Sequence, residues 1–309
     1  MTTSLSYAPF LPEGSFSSDL LIATCGYEKR SRYVAESGDV IAHRVIAYTY
    51  PHNHVLHYAD NLEHFESLGV VQHLESNDGF REALVNDLAE LLDSKERPHV
   101  AVDISSFCRE RLSIIVRTLA QLGASSTIDV TFLYALATFD SHPASTHATV
   151  MINAPLYGFE GWTADPSKPV ACVIGLGFED QVALAALETL EPLHTFAFVA
   201  NNADERFDHR VREDNGTLIH SKEVTELEYE LRSPFDTLHT IESLVHTMRS
   251  AHRLAFIPLG PKPFALLSLL IAQSYEDEIA VWRVSSGEGD PQDREANGSI
   301  TGLQVTFSS

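Results

Sequence analysis

Two stretches of the chain follow the same pattern: DLLIATCGYEKRSRYVAE at residues 19–36 and PVACVIGLGFEDQVALAALETL at residues 169–190. Each is an apolar run of strand length, then a turn of glycine, an aromatic residue and glutamate, then a segment whose apolar residues have helical spacing. The turns lie at residues 26–28 and 177–179. A strand, a short turn and a helix in this order predict the opening of a Rossmann-like α/β unit.

The order of elements continues to repeat after these openings. The strand-like RVIAYTYP at residues 44–51 corresponds to TFAFVANN at residues 195–202. A strand, a small-residue turn and an apolar helix then follow at residues 99–123 and again at residues 253–274. The paired segments lie about 150 residues apart, which predicts an internal duplication. The alternative is two unrelated α/β domains.

Alternating apolar strands and helices with short turns predict parallel sheets with right-handed crossovers. The fold class is therefore α/β, with two tandem Rossmann-like units, each a mainly parallel sheet flanked by helices with an antiparallel terminal strand. The predicted terminal strands are ATVMINA at residues 148–154 and ITGLQVTF at residues 300–307, because each follows a polar loop without a helix. A stretch rich in Pro and Ser near residues 155–168 suggests domains at 1–158 and 159–309.

The composition limits the classes of partner. Hydrophobic residues make up 44% of the 309 residues and charged residues 21%, as in ordinary globular proteins. A net charge of −22, from 43 acidic and 21 basic residues, would repel nucleic acid, so we expect no extended nucleic-acid partner. No apolar run reaches membrane-spanning length and the N-terminus lacks a signal-peptide pattern. We therefore expect a cytoplasmic protein that does not contact the membrane.

Ligands of open parallel sheets bind outside the carboxyl ends of the strands, next to helix N-termini. The turns after the first and fourth strands of each half are therefore the candidate site, and their Arg and Lys residues can pair with phosphate. The alternative is that these residues are ordinary caps, tight turns and solvated helix arginines. The candidate ligand-binding residues are Thr24, Gly26, Tyr27, Glu28, Arg30, Ser105, Ser106 and Arg109 in the first half, and Gly175, Gly177, Phe178, Glu179, Gly260 and Lys262 in the second.

Other site types have weaker support in the sequence. The third glycine of a dinucleotide fingerprint is replaced by Asp180, which is acidic where a pyrophosphate would lie, so we predict no NAD or FAD cofactor. Four histidines in PHNHVLHYADNLEH, residues 51–64, lack a metal-binding motif, so we predict solvated side chains and no metal site. Cys25 lies at a helix N-terminus, where a thiol can become reactive, but a buried structural cysteine is the favoured interpretation.

The turns in VDISSFCRERLSII, residues 102–115, and FIPLGPKPFALLSLL, residues 256–270, combine small residues with Lys or Arg before an apolar helix. This pattern resembles the signature turn of CARF domains, the Rossmann-like sensors of cyclic oligonucleotides in CRISPR-associated and related antiphage proteins. The resemblance implies ligand binding across a two-fold interface, which the two halves of one chain would supply as a pseudo-dimer. It also implies a role in antiviral defence.

Three function classes follow from these observations. The leading hypothesis is a sensor of a nucleotide or cyclic-oligonucleotide second messenger that transmits ligand binding to a partner protein. The second is an enzyme, a phosphodiesterase or transferase, acting on a phosphorylated nucleoside or cyclic oligonucleotide. The third is a protein-interaction module without a ligand, whose acidic surface contacts a basic partner.

Overall fold

The computed structural model describes residues 3–11, 14–140, 151–178, 182–275, 277–285 and 291–309. The chain divides into two compact units. Unit 1 comprises Met1–Thr138 together with Pro291–Ser309, and unit 2 comprises Phe139–Asp290.

Seven strands form the sheet described in unit 1. Their order across the sheet is β1-β13-β6-β5-β2-β3-β4, in which β2 to β6 are mutually parallel. β13 is antiparallel to β6, and β1 is antiparallel to β13. The strands are β1 (Ser4–Pro9), β2 (Phe16–Cys25), β3 (Val40–Thr49), β4 (Val70–Gln72), β5 (His99–Asp103), β6 (Ile128–Ala137) and β13 (Ala296–Ser308).

Six strands form the sheet described in unit 2. Their order is β10-β9-β8-β11-β12-β7, with β8 to β12 parallel and β7 antiparallel to β12. The strands are β7 (Met151–Glu160), β8 (Val170–Gly175), β9 (His194–Asn201), β10 (Val224–Glu230), β11 (Arg253–Pro258) and β12 (Ile279–Ser285).

The five parallel strands have the same spatial order in both units. Numbered along the chain within each unit, they lie in the order 3-2-1-4-5. Their apolar runs are buried: Ile22 and Val102 in unit 1, and Val173 and Phe256 in unit 2, are at most 1% exposed. Strands that are apolar on both faces are typical of a parallel sheet covered by helices on both sides. The predicted α/β class and the two Rossmann-like units are thus confirmed.

Helices connect the parallel strands and begin where the sequence supplies caps. Ser76 accepts a hydrogen bond from the Gly79 amide (3.0 Å) at the start of α3, and Pro263 occupies the first turn of α9. The helices of unit 1 are a 3₁₀ turn (Lys29–Arg32), α1 (Tyr33–Glu36), α2 (Tyr58–Leu68), α3 (Asn77–Ser94) and α4 (Arg109–Gly123). Those of unit 2 are α5 (Val182–Leu190), α6 (Glu205–Asp214), α7 (Gly216–Ile219), α8 (Pro234–Met248) and α9 (Lys262–Ser274).

The terminal strands differ from the prediction. Residues 300–307, expected at the edge of the second half, lie in β13 and pair with β6 of unit 1. Residues 151–154, expected at the edge of the first half, lie in β7 and pair with β12 of unit 2. The compact units therefore differ from the predicted ranges, 1–158 and 159–309, in these strands.

The physical reason is that the fifth parallel strand of each sheet would have unpaired backbone groups without an antiparallel partner, and the order of elements along the chain does not decide which strand pairs there. Gly302 lets β13 approach β6, since a Cβ atom there would lie 2.5 Å from the Phe132 carbonyl oxygen. Leu303, Val305 and Phe307 of β13 are then at most 2% exposed.

Among the described residues, no helix is both long enough and apolar enough to cross a lipid bilayer.

Candidate functional site

The strand order of unit 1 places two predicted turns side by side. β2 and β5 are neighbours in the sheet, and their helical connections leave in opposite directions, to β3 and to β6. This is the topological switch point, where ligands of doubly wound sheets bind. The turn after β2 carries Glu28 and Arg30, and the turn after β5 carries Ser105 and Ser106. The predicted first-half site residues therefore lie at one edge of one sheet.

Glu28 joins the two turns. Its Oε2 accepts a hydrogen bond from Arg30 Nε at 2.7 Å and one from Ser106 Oγ at 3.3 Å. Only 17% of the Glu28 side chain is exposed, and Ser106 is half-buried. Charge-assisted bonds of this kind are stronger than neutral ones when water is largely excluded. The carboxylate thus lies at the centre of a partly enclosed polar cluster.

Arg30 is buried, contrary to the alternative of a solvated helix arginine. Its side chain is 7% exposed, and its Nη1 donates to Tyr134 Oη at 3.1 Å and to the Ala135 carbonyl at 3.3 Å. Burial lowers the pKa of the guanidinium, but Tyr134 and Glu28 outweigh burial and raise that pKa above its ordinary value. Arg30 therefore stays charged, and its role is to hold Glu28 rather than to bind a ligand through a free guanidinium.

Asp103 and Ser105 form a second buried pair below this cluster. Asp103 Oδ1 accepts hydrogen bonds from the Ser105 amide (2.9 Å) and the Ser105 hydroxyl (2.5 Å), and Ser105 Oγ in turn accepts from the Ala135 amide (2.8 Å). Burial raises the pKa of Asp103 to about 6, although the Ser105 hydrogen bonds oppose the rise. Because Ser105 is 0% exposed, it braces the turn and does not present its hydroxyl at the surface.

Thr24 and Gly26 shape the first turn from within. The Thr24 hydroxyl donates to the Tyr48 carbonyl at 2.8 Å, and the Gly26 amide donates to Ser31 Oγ at 3.0 Å. Asn61 of α2 donates to the carbonyls of Gly26 (2.8 Å) and Glu28 (2.9 Å). These bonds fix the direction in which the Glu28 side chain leaves the backbone. Asn61 was not predicted, because its contribution comes from an amide on a helix about 35 residues further along the chain.

Tyr27 and Arg109 lie on the outer side of the same edge. Both are half-buried, and Arg109 is the first residue of α4. Burial, followed by the charge of Glu28, raises the pKa of Tyr27, so its hydroxyl stays protonated and can donate. Arg111, the third residue of α4, is 0% exposed and lies over the Tyr50 ring at 3.9 Å. Arg111 is therefore a core residue rather than a solvated one.

A segment close to the C-terminus lies across the first turn. The Arg30 amide donates to the Arg294 carbonyl (3.0 Å), and the Lys29 amide donates to Asp293 Oδ1 (2.8 Å). Lys29 Nζ also pairs with Glu295 at 2.7 Å. Because it brings residues from the far end of the chain, sequence reasoning missed this part of the site.

The corresponding edge of unit 2 is packed differently. The amides of Leu259 and Gly260 donate to the Gly175 carbonyl at 3.0 and 2.9 Å, so the two turns bond directly to each other. A Cβ atom at Gly175 would lie 2.3 Å from the Phe264 ring, and one at Gly260 would lie 2.4 Å from the Leu176 carbonyl oxygen. The small size of these glycines is therefore required by packing, whether or not a ligand binds.

The remaining predicted residues of unit 2 lie around this edge. Gly177 accepts a hydrogen bond from Asn215 Nδ2 at 2.9 Å. The Phe178 ring stacks on Phe207, with ring centroids 5.8 Å apart. Lys262 is half-buried and begins α9. Glu179 lies outside the described residues.

Comparisons with known proteins give no family for this chain. No family model and no curated protein matches it. The crystal structure of the cytoplasmic domain of a prokaryotic cation chloride cotransporter aligns over 89% of this chain and 98% of its own, with 9% sequence identity and a TM-score of 0.26. A likeness this slight carries no functional argument, so the site must be interpreted from its own geometry.

Cys25 is buried, and His54 and His57 contact other side chains of unit 1. Cys25 is 0% exposed, and burial raises the pKa of its thiol to about 12, so it is not a reactive nucleophile. His54 stacks on Tyr58 with ring centroids 4.0 Å apart, and His57 Nε2 lies 3.2 Å from Asp293 Oδ2. Within the described ranges, no three His, Cys, Asp or Glu side chains are grouped as metal ligands.

Proposed function

We propose that unit 1 binds a small nucleotide-like ligand at the switch point of its sheet, and that the chain acts as a sensor that reports this ligand to a partner protein. The observation that carries the proposal is the contact between Ser106 Oγ and Glu28 Oε2 at 3.3 Å, which joins the turns after β2 and β5. Ligands of this architecture bind at the switch point, and a carboxylate there can accept hydrogen bonds from ribose hydroxyls.

Glu28 supplies the recognition of the sugar. Arg30 and Ser106 both contact Oε2, and in the described part of the chain no donor contacts Oε1. A carboxylate accepts about four hydrogen bonds, so Oε1 remains an acceptor for ribose hydroxyls. Since Arg30 compensates its charge, Glu28 would repel a nearby phosphate less than an isolated carboxylate would.

The start of α4 is the part of the proposed site that would bind a phosphate group. Backbone amides at a helix N-terminus and the dipole of the helix favour an anion, and Arg109 adds a positive charge at the first helical position. The resemblance to CARF domains makes cyclic oligonucleotides the first ligands to test, and antiviral defence the setting that this proposal implies.

Binding is favoured over catalysis by the state of the candidate nucleophiles. The Ser105 hydroxyl is buried and bonded on both sides, and the Cys25 thiol is buried with a raised pKa. An activated nucleophile needs an adjacent base and access to substrate. Neither Ser105 nor Cys25 has that access, which favours a sensor. Ser106 is half-buried and contacts Glu28, so it is the hydroxyl on which a phosphodiesterase or transferase would depend, and product analysis tests that alternative.

Thermal unfolding with a panel of mononucleotides, dinucleotides and cyclic oligonucleotides tests the proposal. A ligand at a hundred times its Kd adds about 2.7 kcal/mol to the free energy of unfolding, so we expect a selective rise in Tm. Glu28→Gln, Ser106→Ala and Arg109→Ala should each reduce the rise, measured from the Tm of each unliganded variant. Lys262→Ala tests the corresponding turn of unit 2 in the same way.

The matched control is Glu82→Gln, which removes an exposed carboxylate from α3 of the same unit. It should leave the ligand-induced rise unchanged. If no compound raises Tm, the ligand site is refuted and the protein-interaction module becomes the better hypothesis. If a ligand binds and is also consumed, product analysis of the mixture will identify an enzyme.

A further inference from the structure

A cavity of about 560 Å³ lies in unit 2, at the edge opposite to the predicted site. It opens at the amino ends of β8, β11 and β12, where sequence reasoning predicted no ligand. Its volume is within the range of roughly 300–1,000 Å³ that small-molecule sites occupy. The lining residues are Thr163, Ala164, Asp165, Lys168, His246, Arg249, Ser250, His252, Arg253, Leu254, Glu278 and Ile279.

The side chains that line the cavity have a positive net charge, whereas the net charge of the whole chain is −22. The lining contains three cationic side chains, two anionic ones and two histidines, whereas the chain as a whole has 43 acidic and 21 basic residues. Cations gathered in a cleft raise the local concentration of anions even when the net charge is negative. The cavity therefore favours an anionic ligand.

Arg249 lines the cavity, but its charge is compensated by an ion pair with Glu278. Its Nη2 lies 2.8 and 2.9 Å from the two Glu278 oxygens, and its Nε lies 3.1 Å from Oε2. A bidentate pair of this kind is rigid and leaves little positive charge for a ligand. The cationic character of the cavity thus comes from Lys168 and Arg253.

Lys168 and Arg253 are held in place by the backbone around them. Arg253 Nε donates to the Lys168 carbonyl at 3.0 Å, and Lys168 Nζ donates to the Arg249 carbonyl at 3.2 Å. In the described chain, no residue accepts a hydrogen bond from the two terminal nitrogens of Arg253. A guanidinium fixed through Nε keeps its terminal fork for a planar or tetrahedral oxyanion.

Asp165 opposes this charge only in part. Its Oδ1 accepts hydrogen bonds from the Ser167 amide (2.9 Å) and the Ser167 hydroxyl (2.7 Å), which are the main reason that its pKa is lowered. The charges of Lys168 and Arg253 lower the Asp165 pKa further, so the carboxylate stays ionised and offsets one positive charge. Because Arg249 is paired with Glu278, Lys168 and Arg253 against Asp165 leave one net positive charge before either histidine is counted.

We propose that this cavity binds a small ligand through a phosphate monoester group, with Arg253 and Lys168 as the binding residues. A phosphate monoester carries close to two negative charges at neutral pH and offers three oxygens, so both cations can contact it at once. The neutral hydroxyls of Thr163 and Ser250 line the same cavity and suit the hydroxyl-bearing remainder of such a ligand.

Titration calorimetry on the full chain at constant ionic strength tests this site. The probes are inorganic phosphate, glycerol phosphate and, as a dicarboxylate, succinate. We expect glycerol phosphate to bind more tightly than succinate. Arg253→Lys keeps the charge but loses the fork, and Lys168→Gln loses the charge, so each should weaken binding about tenfold, the effect of losing one charge-assisted hydrogen bond.

Lys222→Gln is the matched control, because Lys222 is an exposed lysine of unit 2 outside the cavity lining. It should bind the probes as the unchanged chain does. Absence of binding by every probe, or equal weakening by Lys222→Gln, would overturn the proposal. The unit 1 site is tested with nucleotides and this cavity with small phosphate and carboxylate probes, each with its own variants, so failure of one proposal is distinguishable from failure of the other.

Discussion

At the scale of single residues, unit 1 buries ionisable groups that are compensated in different ways. Arg30 has a carboxylate partner, whereas Arg111 is stacked on Tyr50 at 3.9 Å and on Phe80 at 4.8 Å and donates to the Thr49 carbonyl at 2.7 Å. Cation–π contacts become stronger when the cation is desolvated. Burial remains the main influence on the Arg111 pKa and lowers it.

Asp103 makes stability depend on pH in an unusual direction. Burial raises its pKa in the folded state to about 6, against 3.8 for an exposed aspartate, so between these values the folded state binds more protons than the unfolded state. The free energy of unfolding should therefore fall as pH rises through this window, by about 3 kcal/mol from this group. In Asp103→Asn, which keeps an oxygen for the Ser105 hydrogen bonds, that fall should be absent. Urea unfolding at a series of pH values measures the difference between the two proteins.

Asp129→Asn is a control, because the stability that Asp129 contributes depends on pH in the opposite direction. Hydrogen bonds from Arg97 and Thr306 lower the pKa of Asp129, so the stability that it contributes is lost as pH falls. The advantage of the unchanged chain over Asp129→Asn should grow as pH rises towards 3.8 and then level off, while its advantage over Asp103→Asn should shrink between pH 3.8 and about 6. A difference from Asp103→Asn that stays constant across the window would show that the Asp103 pKa is not raised.

At the scale of elements, the switch points of the two units share a strand order but differ in how their turns meet. In unit 1 the turns are joined by side chains, through Glu28 and Ser106. In unit 2 they are joined by backbone, since Gly260 donates directly to the Gly175 carbonyl. In unit 1 the backbones of the two turns are separated by side chains, whereas in unit 2 they are in direct contact. This difference favours unit 1 over unit 2 for the proposed nucleotide-like ligand.

Glycine substitutions should reveal this difference. Gly175→Ala would place a Cβ atom 2.3 Å from the buried Phe264 ring, and overpacking of this kind costs about 1–3 kcal/mol. At Gly26 the nearest atoms would be Ser31 Oγ at 3.3 Å and Ser106 Cβ at 3.5 Å, so Gly26→Ala should cost less than about 1 kcal/mol. Urea unfolding midpoints measure both.

Gly216→Ala is the control within unit 2, because no atom lies within 4 Å of a Cβ atom there and the position is helical. It should be neutral or stabilising by up to about 1 kcal/mol. Equal costs at positions 26 and 175 would contradict the distinction between the two edges.

At the scale of the whole molecule, unit 1 is assembled from both ends of the chain. β13 lies between β1 and β6, and it contributes Leu303, Val305 and Phe307 to the core. Its preceding segment also contacts the turn that carries Glu28 and Arg30. Completion of the unit 1 fold and completion of the candidate site thus depend on the same C-terminal segment.

Fragments should therefore fold according to the compact units rather than the predicted ranges. A fragment of residues 139–290 should unfold cooperatively, because it contains the complete sheet described for unit 2. A fragment of residues 1–158 should not, because without β13 the edge of β6 is unpaired. Circular dichroism during thermal unfolding distinguishes the two outcomes.

Joining residues 1–138 to residues 291–309 through a flexible linker should restore cooperative unfolding of unit 1. A cooperative transition for residues 1–158 alone would contradict the role given to β13.

The sequence alone determined the parallel core of each unit and the location of the candidate turns. Runs such as LLIATC at residues 20–25 and VACVIG at residues 170–175 are typical of strands buried on both faces, and their alternation with helical spacing after glycine turns indicates a parallel sheet. These signals are local, because each depends on residues within one strand, turn and helix. The repeated order of elements was visible for the same reason.

Tertiary structure alone decided the partners of the terminal strands, the burial of Arg30 and Arg111, and the basic cavity of unit 2. Strand pairing at a sheet edge, the bonding of Asn61 to the first turn and the meeting of Lys168 with Arg253 all join residues far apart in the chain. No local pattern encodes such contacts, because their free energy depends on side-chain fit and on water exclusion that exist only after the sheets have formed.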